Sequence, residues 1–315
     1  MARLVVMFLT FSLGALSIGT LSQEADPPPT FKAGVDLVSV SVVVNNNHGR
    51  PVTGLSRKDF ELFDAGRPRD IADFRAEATP VSVAVLLDTS GSMHISGKWT
   101  AAREAVTKLA AELERGRDRV ALFAFDSELH VVQPFTTSPS DVVGALARVE
   151  PWGSTALFDA VAQTGTRLAE DGGTRRAIVV ITDGLDNRSR LDATAVSAAA
   201  SAVDVPVYSF VVSSPLDHLN DGAAAGDGGA VRPRGTLDDL SRWTGGALFV
   251  SSTPMEAATA VKQIVTELRH QYVMTFESGA PAGWHPLLVR VHEGSNFVVR
   301  TRSGYVAGPR ASGRF

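Results

Sequence analysis

VSVAVLLDTSGS, residues 81–92, joins a nearly continuous apolar run to a cluster of polar residues. An apolar run of this length predicts a strand that is covered on both faces. The pattern returns in RVALFAF, residues 119–125, and in AIVVIT, residues 177–182. Amphipathic helices are predicted between these strands, the first from about Lys98 to Arg115. Apolar strands that alternate with helices predict an α/β fold with a doubly wound, mostly parallel sheet.

Polar residues stand where the predicted strands end. Asp88, Ser90 and Ser92 follow the first strand, Asp183 follows the third, and Thr155 opens the helix before that third strand. Because ligands bind at the carboxyl ends of strands in doubly wound sheets, we expect these five residues to meet at one edge. Two carboxylates and three hydroxyls suit Mg²⁺, which takes oxygen ligands, and the lack of His or Cys argues against zinc or copper.

This pattern, Asp-x-Ser-x-Ser followed by a Thr and a later Asp, resembles the metal-ion-dependent adhesion site of von Willebrand factor A domains. The resemblance covers about residues 80–270 and implies a Rossmann-like fold. It implies that the Ser and Thr hydroxyls bind the ion and that the aspartates bind it largely through water. It also implies one Mg²⁺, or Mn²⁺ or Ca²⁺, as cofactor, and a protein partner whose carboxylate completes the shell. The implied metal residues are Asp88, Ser90, Ser92, Thr155 and Asp183.

The flanking sequences are rich in short strand patterns. VVVNNNHGRPVTGLSRKDFELFDAGRPRDIADF, residues 42–74, and the ending LRHQYVMTFE…VRTRSGYVAG resemble the von Willebrand factor A-related proteins of Acidobacteria. Strands are predicted at 35–44, 52–55, 60–63 and 71–74, and again at 272–276, 287–292 and 297–302. Neither set has enough strands to bury a core comfortably, so we expect the two sets to pair into one β sandwich.

The N-terminus has the pattern of a secretory signal. Arg3 precedes an apolar run at 4–21, with small residues before a cleavage point ahead of Gln23. The alternative is an uncleaved membrane anchor, but the run is short for a span and contains polar residues. We therefore expect an exported protein that is periplasmic, secreted or attached to the cell envelope. The predicted organisation is a signal peptide at 1–22, a linker at 23–34, an N-terminal β module at 35–79, a von Willebrand factor A domain at 80–270, C-terminal strands at 271–307 and a tail at 308–315.

The composition excludes several classes of function. The chain of 315 residues has no cysteine, which excludes disulfides, thiolate metal sites and a Cys nucleophile. Its formal net charge is −4, and no basic run is longer than Arg175-Arg176. Nucleic-acid binding needs clustered Lys and Arg, so a nucleic-acid partner is not expected, and a membrane is expected only at the signal segment.

The predicted function is cation-dependent binding or adhesion, in which the site engages an acidic group on a protein partner. The alternative is a structural or assembly protein of the cell envelope in which the ion is incidental. An enzyme is not expected. Ser90 interrupts the Asp-Thr-Gly of an aspartic protease, it replaces the second Asp that a haloacid dehalogenase phosphatase needs, and the chain has no Gly-x-Ser-x-Gly elbow for a Ser/His/Asp triad.

Four residues near the motifs keep two interpretations each. Asp126 follows a strand at the same edge. It is interpreted either as part of an acidic rim or as a helix or turn cap. Asp186 is interpreted either as a residue that orients a water or as a solvated turn residue, and the second interpretation is favoured. His94 lies near the site in the sequence, but a surface role is favoured over a role in the site. Trp152 is expected to pack in the core or at a hinge rather than to serve as a ligand platform, although its place three residues before Thr155 also suits the rim.

Overall fold

The computed structural model describes residues 37–170, 175–192, 194–197, 204–213, 236–292 and 296–308. The predicted signal peptide, the linker and the tail beyond residue 308 lie outside these ranges. Within them, no helix has the length and apolar character that a membrane span requires.

Fourteen strands and five longer helices make up the described part of the chain. The strands are β1 Leu37–Asn45, β2 Phe60–Asp64, β3 Arg67–Arg69, β4 Ile71–Arg75, β5 Val81–Asp88, β6 Arg119–Phe125, β7 Leu129–Thr136, β8 Arg175–Thr182, β9 Val207–Val212, β10 Leu248–Ser251, β11 Tyr272–Glu277, β12 Gly283–Val291, β13 Val298–Thr301 and β14 Gly304–Ala307. The helices are α1 Lys98–Glu112, α2 Pro139–Leu146, α3 Leu157–Glu170, α4 Leu237–Thr244 and α5 Pro254–Arg269, and residues 194–197 are also helical.

The central sheet has six strands in the order β10-β9-β8-β5-β6-β7. All neighbouring strands are parallel except β6 and β7, which are antiparallel. All eight residues of β5 are buried, as expected for a strand at the middle of a sheet that is covered on both faces. The predicted α/β fold with a mostly parallel sheet is confirmed.

Helices cover both faces of this sheet. Apolar residues of α1, α2 and α5 pack with one set of inward side chains, including Val83 and Val85. Residues of α3 and α4 pack with the alternate set, including Ala84 and Leu86. This arrangement follows from the alternation of side chains along a strand, since successive residues face opposite sides. The doubly wound arrangement is therefore also confirmed.

The outer strands form two antiparallel four-stranded sheets. One has the order β13-β1-β11-β4 and the other β14-β12-β2-β3, so each sheet combines strands from before and after the central sheet. Both sheets contribute to one apolar core, which includes Val42, Leu62, Tyr272, Phe276 and Val289. The two flanking segments thus bury their apolar faces against each other. The residue bounds assigned above to the separate domains stay predictions.

The predicted strand at 52–55 is wrong. Only an isolated bridge between Asn45 and Pro51 forms there, and the segment is held instead by the hydroxyl of Tyr272. That hydroxyl donates to the Val52 carbonyl at 2.7 Å and accepts from the Leu55 amide at 3.3 Å. A tertiary side-chain contact therefore replaces the strand ladder.

A buried polar network joins α5 to the sandwich. The side chain of Glu267 on α5 is fully buried and forms an ion pair with Arg300 of β13. Its Oε1 also accepts from Asn45 Nδ2 at 2.8 Å and from Gln263 Nε2 at 3.0 Å. A buried carboxylate is tolerated only when it is paired and hydrogen-bonded, and Glu267 meets both conditions.

Candidate metal centre

Asp88 is the most deeply placed of the predicted metal residues. It ends β5 beside β8, and its side chain is buried. Its Oδ1 accepts from the Ser90 amide at 2.8 Å, and its Oδ2 accepts from Thr182 Oγ1 at 2.5 Å. Both carboxylate oxygens are therefore held in a fixed orientation. Thr182 was not predicted to contribute, because it reads as the last residue of an apolar strand.

Burial raises the pKa of Asp88 from its ordinary 3.8 to about 6. The hydrogen bonds from Thr182 and Ser90 oppose this rise, and the nearby charge of Asp183 adds to it. Removal from water disfavours a negative charge unless a positive charge compensates for it. A cation bound beside Asp88 would favour its ionised form.

The two serine hydroxyls of the motif point at one another. Ser90 Oγ and Ser92 Oγ lie 3.0 Å apart, where the chain turns into a short 3₁₀ segment, Gly91–Gly97. Neighbouring oxygens of an octahedral Mg²⁺ shell with bonds of about 2.1 Å are themselves about 3 Å apart. The hydroxyl pair therefore has the spacing of two adjacent ligands on one ion.

Backbone hydrogen bonds bring the loop that holds Thr155 against this turn. The Gly91 amide donates to the Gly153 carbonyl at 2.9 Å, and the Trp152 amide donates to the Thr89 carbonyl at 2.5 Å. Gly153 has φ +111°, which strains any other residue, and a β-carbon there would also be crowded at 3.0 Å from the side chain of Asp126. Glycine is thus what allows the loop to pass so close.

Thr155 is buried and connects the second loop to the third. Its amide donates to Asn187 Oδ1 at 3.1 Å, and its carbonyl accepts from the amides of Asn187 and Arg188. Asn187 follows β8 in the loop that begins with Asp183, so these bonds fix Thr155 relative to that loop. The amide side chain of Asn187 carried no signal that distinguished it from an ordinary turn residue.

Asp183 is the second carboxylate of the cluster, and its side chain is fully buried. Its Oδ2 lies 3.3 Å from the Nζ of Lys98, whose own side chain is only 9% exposed. The Oδ1 of Asp183 accepts from the Leu185 amide at 3.4 Å. Lys98 was predicted only as the start of a helix, so its ammonium beside the candidate site is a finding of the structure.

The five residues fit a divalent cation by the chemistry of their donors. Within the described ranges, no group of three or more His, Cys, Asp or Glu residues is arranged to hold a metal. An ion here would therefore depend on hydroxyl oxygens as well as the two carboxylates, which is a hard-cation environment. The close hydroxyl pair and the buried, oriented carboxylate of Asp88 meet that requirement.

Three exposed apolar side chains flank the candidate ligands. Ile95 is 60% exposed, Trp152 82% and Leu185 55%, and each lies within three residues of a candidate ligand along the chain. We call these three residues the apolar rim. The expectation that Trp152 packs in the core or at a hinge is wrong, because its side chain is 82% exposed.

The carboxylates of the two other acidic residues near this edge accept backbone hydrogen bonds that stabilise turns. Asp126 Oδ1 accepts from the Glu128 amide at 2.8 Å, and Asp186 Oδ1 accepts from the amides of Arg188 and Ser189. His94 places its Nε2 2.8 Å from the Pro151 carbonyl. These contacts organise the loops around the candidate ligands.

Residues 83–185 match the family model described as the von Willebrand factor type A domain. Together with the central sheet, this match defines a von Willebrand factor A-type α/β fold. No curated protein matches the chain. The narrower resemblance to proteins of Acidobacteria stays a prediction.

Several solved structures are similar to the chain. A conserved hypothetical protein, BatB, from Bacteroides thetaiotaomicron is 21% identical, with a TM-score of 0.48 over 60% of this chain and 98% of that one. A von Willebrand factor type A protein from Catenulispora acidiphila is 13% identical, with a TM-score of 0.47 over 88% and 75%. Proximal thread matrix protein 1 from the mussel byssus, with a zinc-occupied MIDAS motif, is 13% identical, with a TM-score of 0.48 over 65% and 49%.

Proposed function

We propose that this chain is an exported, non-enzymatic binding protein that uses one divalent cation to engage a carboxylate on a protein partner. The ion would be held by Asp88, Ser90, Ser92, Thr155 and Asp183. The observation that carries the proposal is the pair of serine hydroxyls 3.0 Å apart beside the oriented carboxylate of Asp88. The family match at residues 83–185 favours an interaction module over an enzyme.

Each part of the site has a separate task in this proposal. When bound, the cation supplies the positive charge that a partner's carboxylate needs. Asp88 and Asp183 hold negative charge at a buried position, and the hydroxyls of the buried Ser90 and the half-buried Ser92 supply neutral oxygens. Neutral ligands leave more of the ion's charge for an incoming carboxylate than anionic ligands would.

The apolar rim supports a protein as the partner. Exposed aromatic side chains of this size are typical anchors of protein interfaces. A partner carboxylate at the ion would bring the neighbouring residues of its chain over Trp152, Ile95 and Leu185. We therefore expect the partner to present an acidic residue with apolar neighbours.

Calorimetric titration of the EDTA-stripped chain tests the proposal. MgCl₂, MnCl₂, CaCl₂ and ZnCl₂ are titrated separately, the last because a similar structure carries zinc in this motif. We expect one saturable site in the wild-type chain, which Ser92→Ala weakens at least tenfold while the circular dichroism spectrum is unchanged. Ser127→Ala is the matched control, because Ser127 is exposed at the same edge and contacts Asp126 instead. No binding of any ion to the wild-type chain would refute the proposed site.

Capture of partners with and without the bound ion separates the two functions considered. The wild-type chain is immobilised with the ion that calorimetry selects, and Ser92→Ala is immobilised beside it. Ion-dependent capture that the variant loses supports cation-dependent binding. Capture that is equal for both chains and insensitive to EDTA supports the structural or assembly function, in which the ion is incidental.

The cellular location belongs to the same proposal. Export is supported by the signal pattern at residues 1–22, which lies outside the described residues. Fractionation of cells that produce the full chain, with mass spectrometry of its N-terminus, checks it. A mature protein that begins near Gln23 in an exported fraction is expected, whereas the intact chain in the cytoplasm would contradict it.

A further inference from the structure

Lys98 is a buried lysine beside the candidate ion. It is the first residue of α1, and it follows Gly97, which turns the chain with φ +77°. Its side chain is 9% exposed, and its Nζ lies 3.3 Å from the Oδ2 of Asp183, which is fully buried. Lysine is almost never buried this far unless its charge is compensated. The position is therefore better explained by the charge of the site than by packing.

The ion-free site contains two buried carboxylates at the ends of adjacent strands. Asp88 is the last residue of β5, and Asp183 directly follows the neighbouring parallel strand β8. Two carboxylates this close and this buried repel each other and lose their hydration. An ammonium on a fixed helix end offsets part of both costs without an ion from solution.

We propose that Lys98 is a tethered cation that stabilises the ion-free site and thereby weakens the site's affinity for a divalent ion. The inference rests on the proposed metal site. A divalent ion that binds near Asp183 meets a positive charge that is already present, and like charges in a poorly solvated site repel each other strongly. The formal charges of Asp88, Asp183 and Lys98 sum to −1, so these three groups together with a divalent ion would carry +1 and would attract a partner carboxylate. Lys98 thus makes ion binding exchangeable and leaves the loaded site attractive to an acidic group.

The first measurement is the affinity for Mg²⁺, by calorimetry at pH 7.5 in low salt. Lys98→Met keeps the length of the side chain and removes its charge, so we expect the affinity to rise about tenfold or more. Lys98→Arg keeps the charge and should stay within about threefold of wild type. Lys108→Met is the matched control, because Lys108 lies on the same helix but is partly solvated and pairs with Glu104 instead. That control should bind Mg²⁺ as wild type does.

The second measurement is the melting temperature in EDTA and with saturating Mg²⁺. Without the ion, Lys98→Met leaves the carboxylates uncompensated, so its melting temperature should fall below that of Lys98→Arg. With Mg²⁺ the difference should shrink or vanish, because the ion replaces the missing charge. If Lys98→Met does not fold, Lys98→Gln, which retains a hydrogen-bond donor, is measured in its place.

The outcomes separate this inference from the function on which it rests. Tighter Mg²⁺ binding by Lys98→Met, with a larger melting shift on Mg²⁺ addition, supports the inference. Equal or weaker binding by Lys98→Met, while wild type binds one ion, overturns it and leaves the metal site intact. An absence of binding and of any melting shift in all four chains overturns the metal site, and this inference with it.

Discussion

Replacement of Asp88 by Asn should make the ion-free protein more stable at neutral pH. The pKa of Asp88 rises from 3.8 to about 6 in the folded chain, chiefly because of burial. The folded state therefore holds this proton more tightly than the unfolded state does. The unfavourable contribution sets in as the pH rises from about 4 to about 6 and is complete above that range. A rise of this size corresponds to about 3 kcal/mol, which the neutral Asn side chain avoids.

Urea unfolding in EDTA at pH 7.5 and at pH 4 measures this effect. We expect Asp88→Asn to exceed wild type by about 2–3 kcal/mol at pH 7.5 and to match it at pH 4. With saturating Mg²⁺ at pH 7.5 the order should reverse, because only wild type gains stability from the ion. Asp118→Asn is the opposite control: Asp118 is buried at the other edge of the sheet but pairs with Arg269 at 2.7 Å, so its loss should destabilise. An Asp88→Asn protein that is less stable than wild type in EDTA at pH 7.5 would refute this reasoning.

Three further predictions concern other parts of the molecule. Glu267→Gln should cost about 3 kcal/mol in urea unfolding, because it leaves Arg300 beside a neutral side chain; an unchanged midpoint would contradict this. Gly246→Ala should lower the melting temperature strongly, because its β-carbon would lie 2.0 Å from the Val207 carbonyl oxygen. Gly144→Ala in α2 is the control: its β-carbon meets nothing within 4 Å, so it should raise the free energy of unfolding by about 0.5–1 kcal/mol. Trp152→Ala should weaken capture of the partner by about 2 kcal/mol or more with Mg²⁺ affinity unchanged in calorimetry, whereas a parallel loss of Mg²⁺ affinity would assign the residue to the loop structure instead.

The strongly patterned elements of the fold were predictable from the sequence. The apolar runs of β5, β6 and β8 and the amphipathic α1 were assigned with small errors at their ends. The edge strand β7 was missed because LHVVQPFT is partly exposed and contains Pro134, so it has neither a continuous apolar run nor a clean alternation. β3, with three residues, is too short to produce a periodic signal.

Some residues of the candidate site could be predicted from the sequence and others could not. The five motif residues could be named because their types and their places after predicted strands are local features of the sequence. The supporting residues Thr182, Asn187 and Lys98 could not, since each acts through a partner that is distant in the chain. Lys98 in particular has the sequence appearance of an exposed charge at the start of a helix. Only the packing of α1 against the end of β8 shows that its ammonium meets a buried carboxylate.

The pairing of β4 with β11 has a mechanical consequence. Arg75 and Val273 are directly opposite each other, so the chain leaves the sandwich and returns to it on adjacent antiparallel strands. The covalent connections between the sandwich and the central sheet therefore lie on two neighbouring strands, in addition to contacts such as the ion pair of Glu267 and Arg300. As long as the sandwich stays folded, tension applied along the chain from β1 to β14 is carried by hydrogen bonds and apolar contacts within the sandwich. The loops that surround Asp88 and Thr155 lie outside the strands that carry this tension. Tension between β1 and β14 would therefore leave the geometry of these loops undisturbed.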